Sequence, residues 1–380
     1  MIGLPALLLA AVTAVSGVVF DDANGNGRRD PGEKGLPGVV VSDGAEVVVT
    51  GPDGTYRLSA STRNVFVVTP GDRRATSPWH RPTAAAIDFA LAPSPVPATW
   101  RFAHLSDTHV QPENVDRTRR AFAIARQRGA DFAIVTGDLN KDSLRVPEAT
   151  ARARMTLYAA EAEAADAAGL PVRSAPGNHD IFGIERHLSL VPPSNPSYGK
   201  ALYEELIGPR YYAFDRGPIH FVVLDTLGVD DLWYYGLLEE DELAWLRKDL
   251  SHVAPGTTVV TAGHVPLRTG KFTDEFIADG PARSLQTVDG KTFWRHVVRN
   301  AAALAEILKG YRWTLALHAH GRTPPPLGGR ADRRDAIPHG AGRGSSGADA
   351  AGGPLRLHGA RRRDRRRRDP LARSAVTAGG

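Results

Sequence analysis

Five clusters of polar side chains carry the chemistry open to this sequence: Asp107 with His109; Asp138; Asn178, His179 and Asp180; His264; and His318 with His320. Each closes an apolar run of strand-like character, at 100–105, 131–136, 169–172, 257–261 and 311–317. Carboxylate and amide oxygens mixed with imidazole nitrogens, and no sulfur, are a donor set suited to Mn, Fe or Zn. A pair of such ions is the usual device for hydrolysis by an activated water. A lone His or Asp at a strand end is commonly just hydrogen-bonded, and His220 is read that way. Five such ends in one α/β unit are read as one site, because loops after parallel strands gather on one side of the sheet.

Positioning these residues takes an alternating chain. Helix-like stretches at 115–128, 147–168, 239–250 and 294–308 separate the strand-like runs, and 211–217 with 219–225 reads as a β-hairpin. Such alternation is the mark of an α/β domain, here residues 99–320. The stretches 181–200, 227–237 and 266–291 read as irregular, and substrate choice is expected there. Trp233, Tyr234 and Tyr235 are available to stack on a base or sugar, or to pack under their own loop. Asn140 and Asp142 lie near enough in sequence to support Asp138 from behind.

Upstream, Pro93-Ser94-Pro95-Val96-Pro97 gives a stiff linker over 93–98. Residues 17–92 hold short Val-rich runs broken by Gly and Asp turns, the pattern of an all-β sandwich. Within them Asp22, Asn24, Asn26, Asp30 and Glu33 fall at the ligand spacing of an EF-hand loop, with Gly27 at its sharp turn. Calcium bound by these five is one reading, and an ion-free Asx/Gly turn is the other. Residues 1–16 are apolar and end in small residues, as in a secretory leader, although no Lys or Arg opens the run. A buried first strand reads the same way. A leader makes the expected location secreted, periplasmic or cell-envelope. No other stretch is long and apolar enough for a transmembrane helix.

At 380 residues and 42% hydrophobic content the chain can bury two cores, and the lack of Cys excludes disulfides, thiolate ligands and a Cys nucleophile. The net charge of +5 is misleading. Residues 321–380 hold 14 Arg and 5 Asp, a net of +9, which leaves −4 on residues 1–320. Specific nucleic-acid binding is therefore not expected of the body.

Taken in order, Asp107-X-His109, Gly137-Asp138, Gly177-Asn178-His179-Asp180, Gly263-His264 and His318-X-His320 resemble the five motifs of the calcineurin-like metallophosphoesterases. The run GPRYYAFDRGPIHFVVLD looks like their secreted bacterial members. The segment VVFDDANGNGRRDPGEKGLPGVVVSDG resembles the β-sandwich repeats of bacterial surface adhesins, and equally the sandwich that precedes some secreted phosphoesterases. The resemblance implies a two-sheet α/β/β/α sandwich behind a small all-β domain. It implies two divalent or trivalent metal ions (Mn, Fe or Zn), one on Asp107, His109 and His320, the other on Asn178, His264 and His318, with Asp138 bridging. It further implies that a hydroxide between the ions attacks a phosphate ester, that His179 protonates or stabilises the leaving alkoxide, and that Asp180 either orients His179 or caps its turn. The expected substrate is a small-molecule or cell-envelope phosphate ester.

Two departures qualify the expectation. Leu317 stands where the family has Gly, and the character of the chain changes after His320, with no Phe, Tyr or Trp beyond Trp313. Residues 321–380 read as a disordered basic tail or, favoured by composition, as the product of a shifted reading frame. The competing function is a cell-surface or secreted binding protein that keeps the fold with an impaired site.

Overall fold

The computed structural model describes residues 13–61, 63–268, 285–288 and 291–320. Residues 1–12, the 321–380 segment and most of 266–291 lie outside them. The N-terminal region is two four-stranded sheets face to face. One has the order β4 (Thr55–Ser61), β1 (Thr13–Asp21), β8 (Phe89–Pro93), β6 (Arg73–Ala75); the other β3 (Val47–Val49), β2 (Val40–Ser42), β5 (Val65–Val67), β7 (His80–Arg81). Val15, Val19, Val41, Leu58, Val67, Phe89 and Leu91 fill the space between. Residues two apart along a strand share a face, so each sheet points one apolar side inward. Strand β1 takes in Thr13–Ser16, and Val15 is wholly buried opposite Leu58. The boundary expected at residue 16 therefore falls inside a core strand.

The region after the linker is built on two larger sheets. The first is parallel, in the order β11 (Val172–Ala175), β10 (Phe132–Thr136), β9 (Phe102–Leu105). In the second, β12 (Tyr212–Arg216) runs antiparallel to β13 (Ile219–Val223), which is followed by parallel β16 (Thr258–Ala262) and β19 (Arg312–Leu317). Strand β10 shows why the layers form, since all five of its residues are buried. Ala133 and Val135 face helices α1 (Val115–Gln127) and α2 (Glu148–Ala167), while Phe132 and Ile134 face the second sheet. A strand apolar on both sides needs cover on both sides. Helix α5 (Glu240–Leu250) closes the far side with Leu243, Trp245, Leu246 and Leu250. The result is the expected α/β/β/α arrangement.

The two regions share more than a linker. Phe66 and Val68 of the sandwich belong to the inter-sheet core of the region after the linker. Tyr211 donates its hydroxyl to the Gly44 carbonyl at 2.9 Å, and the Trp245 indole N–H reaches Ser42 Oγ at 3.1 Å.

Two local expectations fail. Residues 227–237 are a hairpin of β14 (Leu227–Asp230) and β15 (Trp233–Gly236), not an irregular loop. The expected helix at 294–308 shortens to α6 (Ala301–Ile307). Trp294 instead ends β18 (Lys291–Trp294), which pairs with β17 (Leu285–Val288). Hydrogen bonds from Val298 N to the Pro266 carbonyl and from Arg299 N to the Gly236 carbonyl hold the stretch between them away from helical geometry.

Candidate metal centre

The carboxyl ends of β9, β10, β11, β16 and β19 deliver the five clusters to one place. Four of the delivered residues have left-handed backbone despite carrying side chains: Asp107 (φ 51°), His109 (43°), Asp138 (53°) and His320 (56°). Each such residue costs on the order of 1–3 kcal/mol, held only where the surroundings dictate it. Here they do. Asp107 N donates to the Gly137 carbonyl at 3.1 Å and His109 N to the Asp138 carbonyl at 2.9 Å, lacing the loops after β9 and β10 together. Gly177 is required by contact: a Cβ there would stand 2.0 Å from Asp138 N and 2.4 Å from its Oδ1.

Asp138 is the centre. It is 3% exposed, and among the described residues it belongs to two groups whose candidate ligand atoms lie within 4.8 Å of one another: His109, Asp138 and His179; and Asp138, His264 and His320. On one side His109 Nε2 is 3.8 Å from Asp138 Oδ2 and 3.9 Å from Asp107 Oδ1, with His179 Nε2 4.0 Å from Asp138 Oδ2. On the other, His264 Nε2 is 3.3 Å from Asp138 Oδ2, 3.1 Å from Asn178 Oδ1 and 3.1 Å from His320 Nδ1. His264 Nδ1–H donates to the Thr136 carbonyl at 2.8 Å, which turns Nε2 toward the acceptors. Electron-rich atoms converging this closely need a cation or a proton among them.

The electrostatics agree. Burial alone would raise the Asp138 carboxyl, but His264, His179 and His109 hold it well below the usual carboxylate range. Burial lowers His264, but Asp138 raises it further, to about 9, so a proton occupies the gap unless a metal replaces it. Burial depresses His109 and His320, and His318 falls to about 4 for the same reason. Among the described residues, His109 Nδ1 and both ring nitrogens of His318 are buried without a hydrogen-bond partner. Neutral imidazoles beside an ionised carboxylate fit a centre of transition-metal ions.

The sequence-derived residues are not all brought together as expected. His320, which the resemblance assigned to the ion of Asp107 and His109, stands beside His264. His318 belongs to neither group. Leu317 does no harm: it keeps register with Ala262, packs into the core, and its carbonyl accepts Gly263 N at 3.0 Å. Asp180 does not orient His179. Its carboxylate accepts N–H groups from Gly177 (2.8 Å), Leu139 (3.0 Å) and Asn140 (3.2 Å) and the Asn140 side-chain amide (2.8 Å), tying β10 to β11. Burial and the neighbouring Asp138 raise it to about 7, against those N–H groups. His179 is oriented by the Lys141 carbonyl, to which its Nδ1–H donates at 2.8 Å. Asn140 supports the site through Asp180, whereas Asp142 pairs with Arg145 at 3.4 Å. His220 is structural, as read, held between Asp215 (2.7 Å) and Asp249 (2.9 Å).

Sequence reasoning missed His296, whose ring stacks on His320 at 4.6 Å and whose Nδ1 meets His320 Nε2 in a short hydrogen bond. It lay in a stretch read as helix, and nothing in its neighbours marks it. Of the three aromatics, Tyr234 is buried with its ring edge-on to His320 at 6.2 Å and the Arg295 guanidinium 4.2 Å from its centroid. Arg295 also lies over Trp233, and Arg299 over Tyr235. The aromatics thus pack within their own hairpin and its neighbour.

In the sandwich, the five residues of the calcium reading do gather. Asp22 Oδ1 accepts N–H from Gly25 (2.8 Å) and Asn26 (3.1 Å), and Oδ2 accepts Gly27 N–H (2.8 Å) and the Thr76 hydroxyl. The amides of Asn24 and Asn26 donate to Asp30, and Glu33 accepts N–H from Ala23 and Asp30. Its flanks are strands and turns.

Comparison with known proteins follows this geometry. Residues 101–321 match the family model of calcineurin-like phosphoesterases, and residues 23–81 match that of the N-terminal region of calcineurin-like phosphoesterases. Colossin-B of Dictyostelium discoideum is 37% identical over 70 residues, 15% of this chain but only 2% of Colossin-B. A dimetal phosphatase from Danio rerio aligns at 15% identity over 58% of this chain and 81% of its own, with a TM-score of 0.36. Purple acid phosphatase PPD1 from yellow lupin (Lupinus luteus) seeds aligns at 15% identity over 76% of this chain and 55% of its own, also with a TM-score of 0.36. With the family model covering more than half of its length, this chain belongs to the calcineurin-like phosphoesterase family.

Proposed function

We propose that the protein hydrolyses a phosphate ester at a two-ion centre built on Asp138. The observation that supports this reading most directly is one buried carboxylate shared by two sets of candidate ligand atoms, Asp107 and His109 on one side, His264, Asn178 and His320 on the other. Two transition-metal ions there would supply Lewis-acid stabilisation of phosphoryl oxygens and an acidified water. The chain's own groups divide the rest. Asp138 offsets the mutual repulsion of two cations, and Asn178 adds a neutral oxygen. The Lys141 carbonyl fixes His179 with Nε2 facing the centre, so its imidazolium is placed to protonate a leaving alkoxide from that atom. The Asp180 carboxylate exchanges no proton with His179; it keeps the backbone of both loops in place. Mono- and diesters use the same ligands, and an export leader ahead of strand β1 would put the substrate outside the cytoplasm.

The test is hydrolysis of p-nitrophenyl phosphate and bis(p-nitrophenyl) phosphate before chelation, after it, and after return of Mn²⁺ or Zn²⁺, with metal counted per chain. Activity that needs two ions and recovers on their return is expected. Full activity without bound metal would overturn the reading.

A further inference from the structure

We infer that His296 is a positioning residue for the metal ligand His320, fixing the tautomer and the plane of its ring. The inference rests on the two-ion reading and concerns how one ligand is held.

His320 follows β19 in left-handed backbone, with Ala319 N bonded to the His264 carbonyl at 3.0 Å. Its ring is engaged on both nitrogens. Nδ1 faces His264 Nε2 at 3.1 Å and shares the group of Asp138 and His264, so that atom must keep a lone pair to serve as a ligand. A neutral imidazole then carries its proton on Nε2. Nε2 meets Nδ1 of His296, which accepts that proton's hydrogen bond and leaves His296 protonated on its own Nε2. The rings stack at 4.6 Å and 23°, so the contact sets ring plane as well as tautomer.

The 295–299 segment that carries His296 is itself held by two elements, the loop after β16 and strand β15. Val298 N bonds the Pro266 carbonyl, two residues beyond His264, and Arg299 N bonds the Gly236 carbonyl at 3.1 Å. Gly236 admits this approach, since a Cβ there would stand 2.1 Å from the Val297 carbonyl oxygen. The preceding Arg295 lies over Tyr234, whose ring edge faces His320. The hairpin and the 295–299 segment therefore form one wall behind the ligand. Partners of this kind, bonded to the far nitrogen of a ligating imidazole, are typically worth about 10–100-fold in metal affinity.

The experiment is titration of the metal-stripped full chain with Mn²⁺, following free Mn²⁺ by electron paramagnetic resonance, for the unchanged protein, His296→Phe and His296→Asn. Phe keeps the stack but removes the acceptor; Asn offers Oδ1 near the position of Nδ1. In His296→Phe one of two Mn²⁺ ions should bind about 10–100-fold more weakly while the other is unaffected, and His296→Asn should recover most of the loss. Equal isotherms for all three proteins would overturn the role of His296 alone. Equal losses in Phe and Asn would overturn the acceptor role. If the unchanged chain binds no Mn²⁺, the centre and the inference fail together. Unaltered melting of the metal-free variants separates ligand positioning from loss of fold.

Discussion

Two regions of this molecule gather oxygen and nitrogen side chains in tight loops, and they do it in opposite ways. In the Asp22–Glu33 loop every gathered side chain accepts at least one hydrogen bond. Asp22 alone takes three backbone N–H groups and a hydroxyl, and its carboxyl is lowered, burial working against those bonds. Around Asp138, three acceptors, Asp138 Oδ2, Asn178 Oδ1 and His320 Nδ1, crowd on the one proton that His264 Nε2 can offer; among the described residues His109 and His318 have ring nitrogens with no partner, and four residues hold left-handed backbone. The first loop is complete as a peptide. The second is short of donors and, on the proposed reading, is completed by cations, because buried lone pairs without donors cost on the order of 1–3 kcal/mol each. Residue types alone do not separate a metal site from a turn; the matching of donors to acceptors does.

The contrast breaks most visibly at its centre. Asp138→Asn keeps the shape of the shared side chain but removes the charge that, on the proposed reading, lets two cations sit close together. Activity should fall by more than about 100-fold, beyond what loss of an outer partner costs, and metal content should drop below two ions per chain. Retention of both ions with near-normal turnover would mean that the crowding of acceptors around Asp138 is not a two-ion site.

A smaller effect sharpens the division of labour within the centre. His179→Asn removes the imidazole that the Lys141 carbonyl aims at the site. Turnover should fall by about 10²–10⁴-fold, the usual contribution of a positioned proton donor, with both ions retained. The loss should be least for esters whose leaving group is acidic, such as p-nitrophenol, and greatest for alkyl esters. If an ion is lost with the side chain, His179 is a ligand, as its place beside His109 and Asp138 allows.

Much of this was legible in the sequence, for a physical reason. Strand and helix periodicity is local, so α1 and α2 lie within a residue or so of the stretches read at 115–128 and 147–168. The strand-end clusters were legible because ligand chemistry restricts residue types. What depends on neighbours distant in sequence was not. Asp180 follows His179 directly, yet in the turn at Asn178–Asp180 the two side chains diverge, one toward Lys141 and the centre, the other back under β10. His296 gains its meaning from a ring 24 positions away. The helix read at 294–308 lost its first turns to pairing with β17 and to bonds with Pro266 and Gly236. Leu317 looked like a fault because the motif has Gly there, but its backbone needs no left-handed conformation and its side chain has a place in the core.

The smallest expected effect belongs to the sandwich loop and tests the other half of the contrast. If its hydrogen bonds already satisfy Asp22, Asp30 and Glu33, a calcium ion must displace donors to gain ligands, and little net stabilisation remains. Melting of the full chain, with the Asp138 centre saturated by Mn²⁺, should rise by less than about 1 kcal/mol, or roughly 2–4 °C, when millimolar calcium is added. Glu33→Gln should then melt alike with and without calcium. A rise of many degrees that Glu33→Gln abolishes would show that the loop is a true ion site whose ion-free form merely closes on itself. Matching of donors to acceptors would then no longer suffice to tell the two regions apart, and the unpaired nitrogens and left-handed backbone of the Asp138 centre would have to carry the distinction alone.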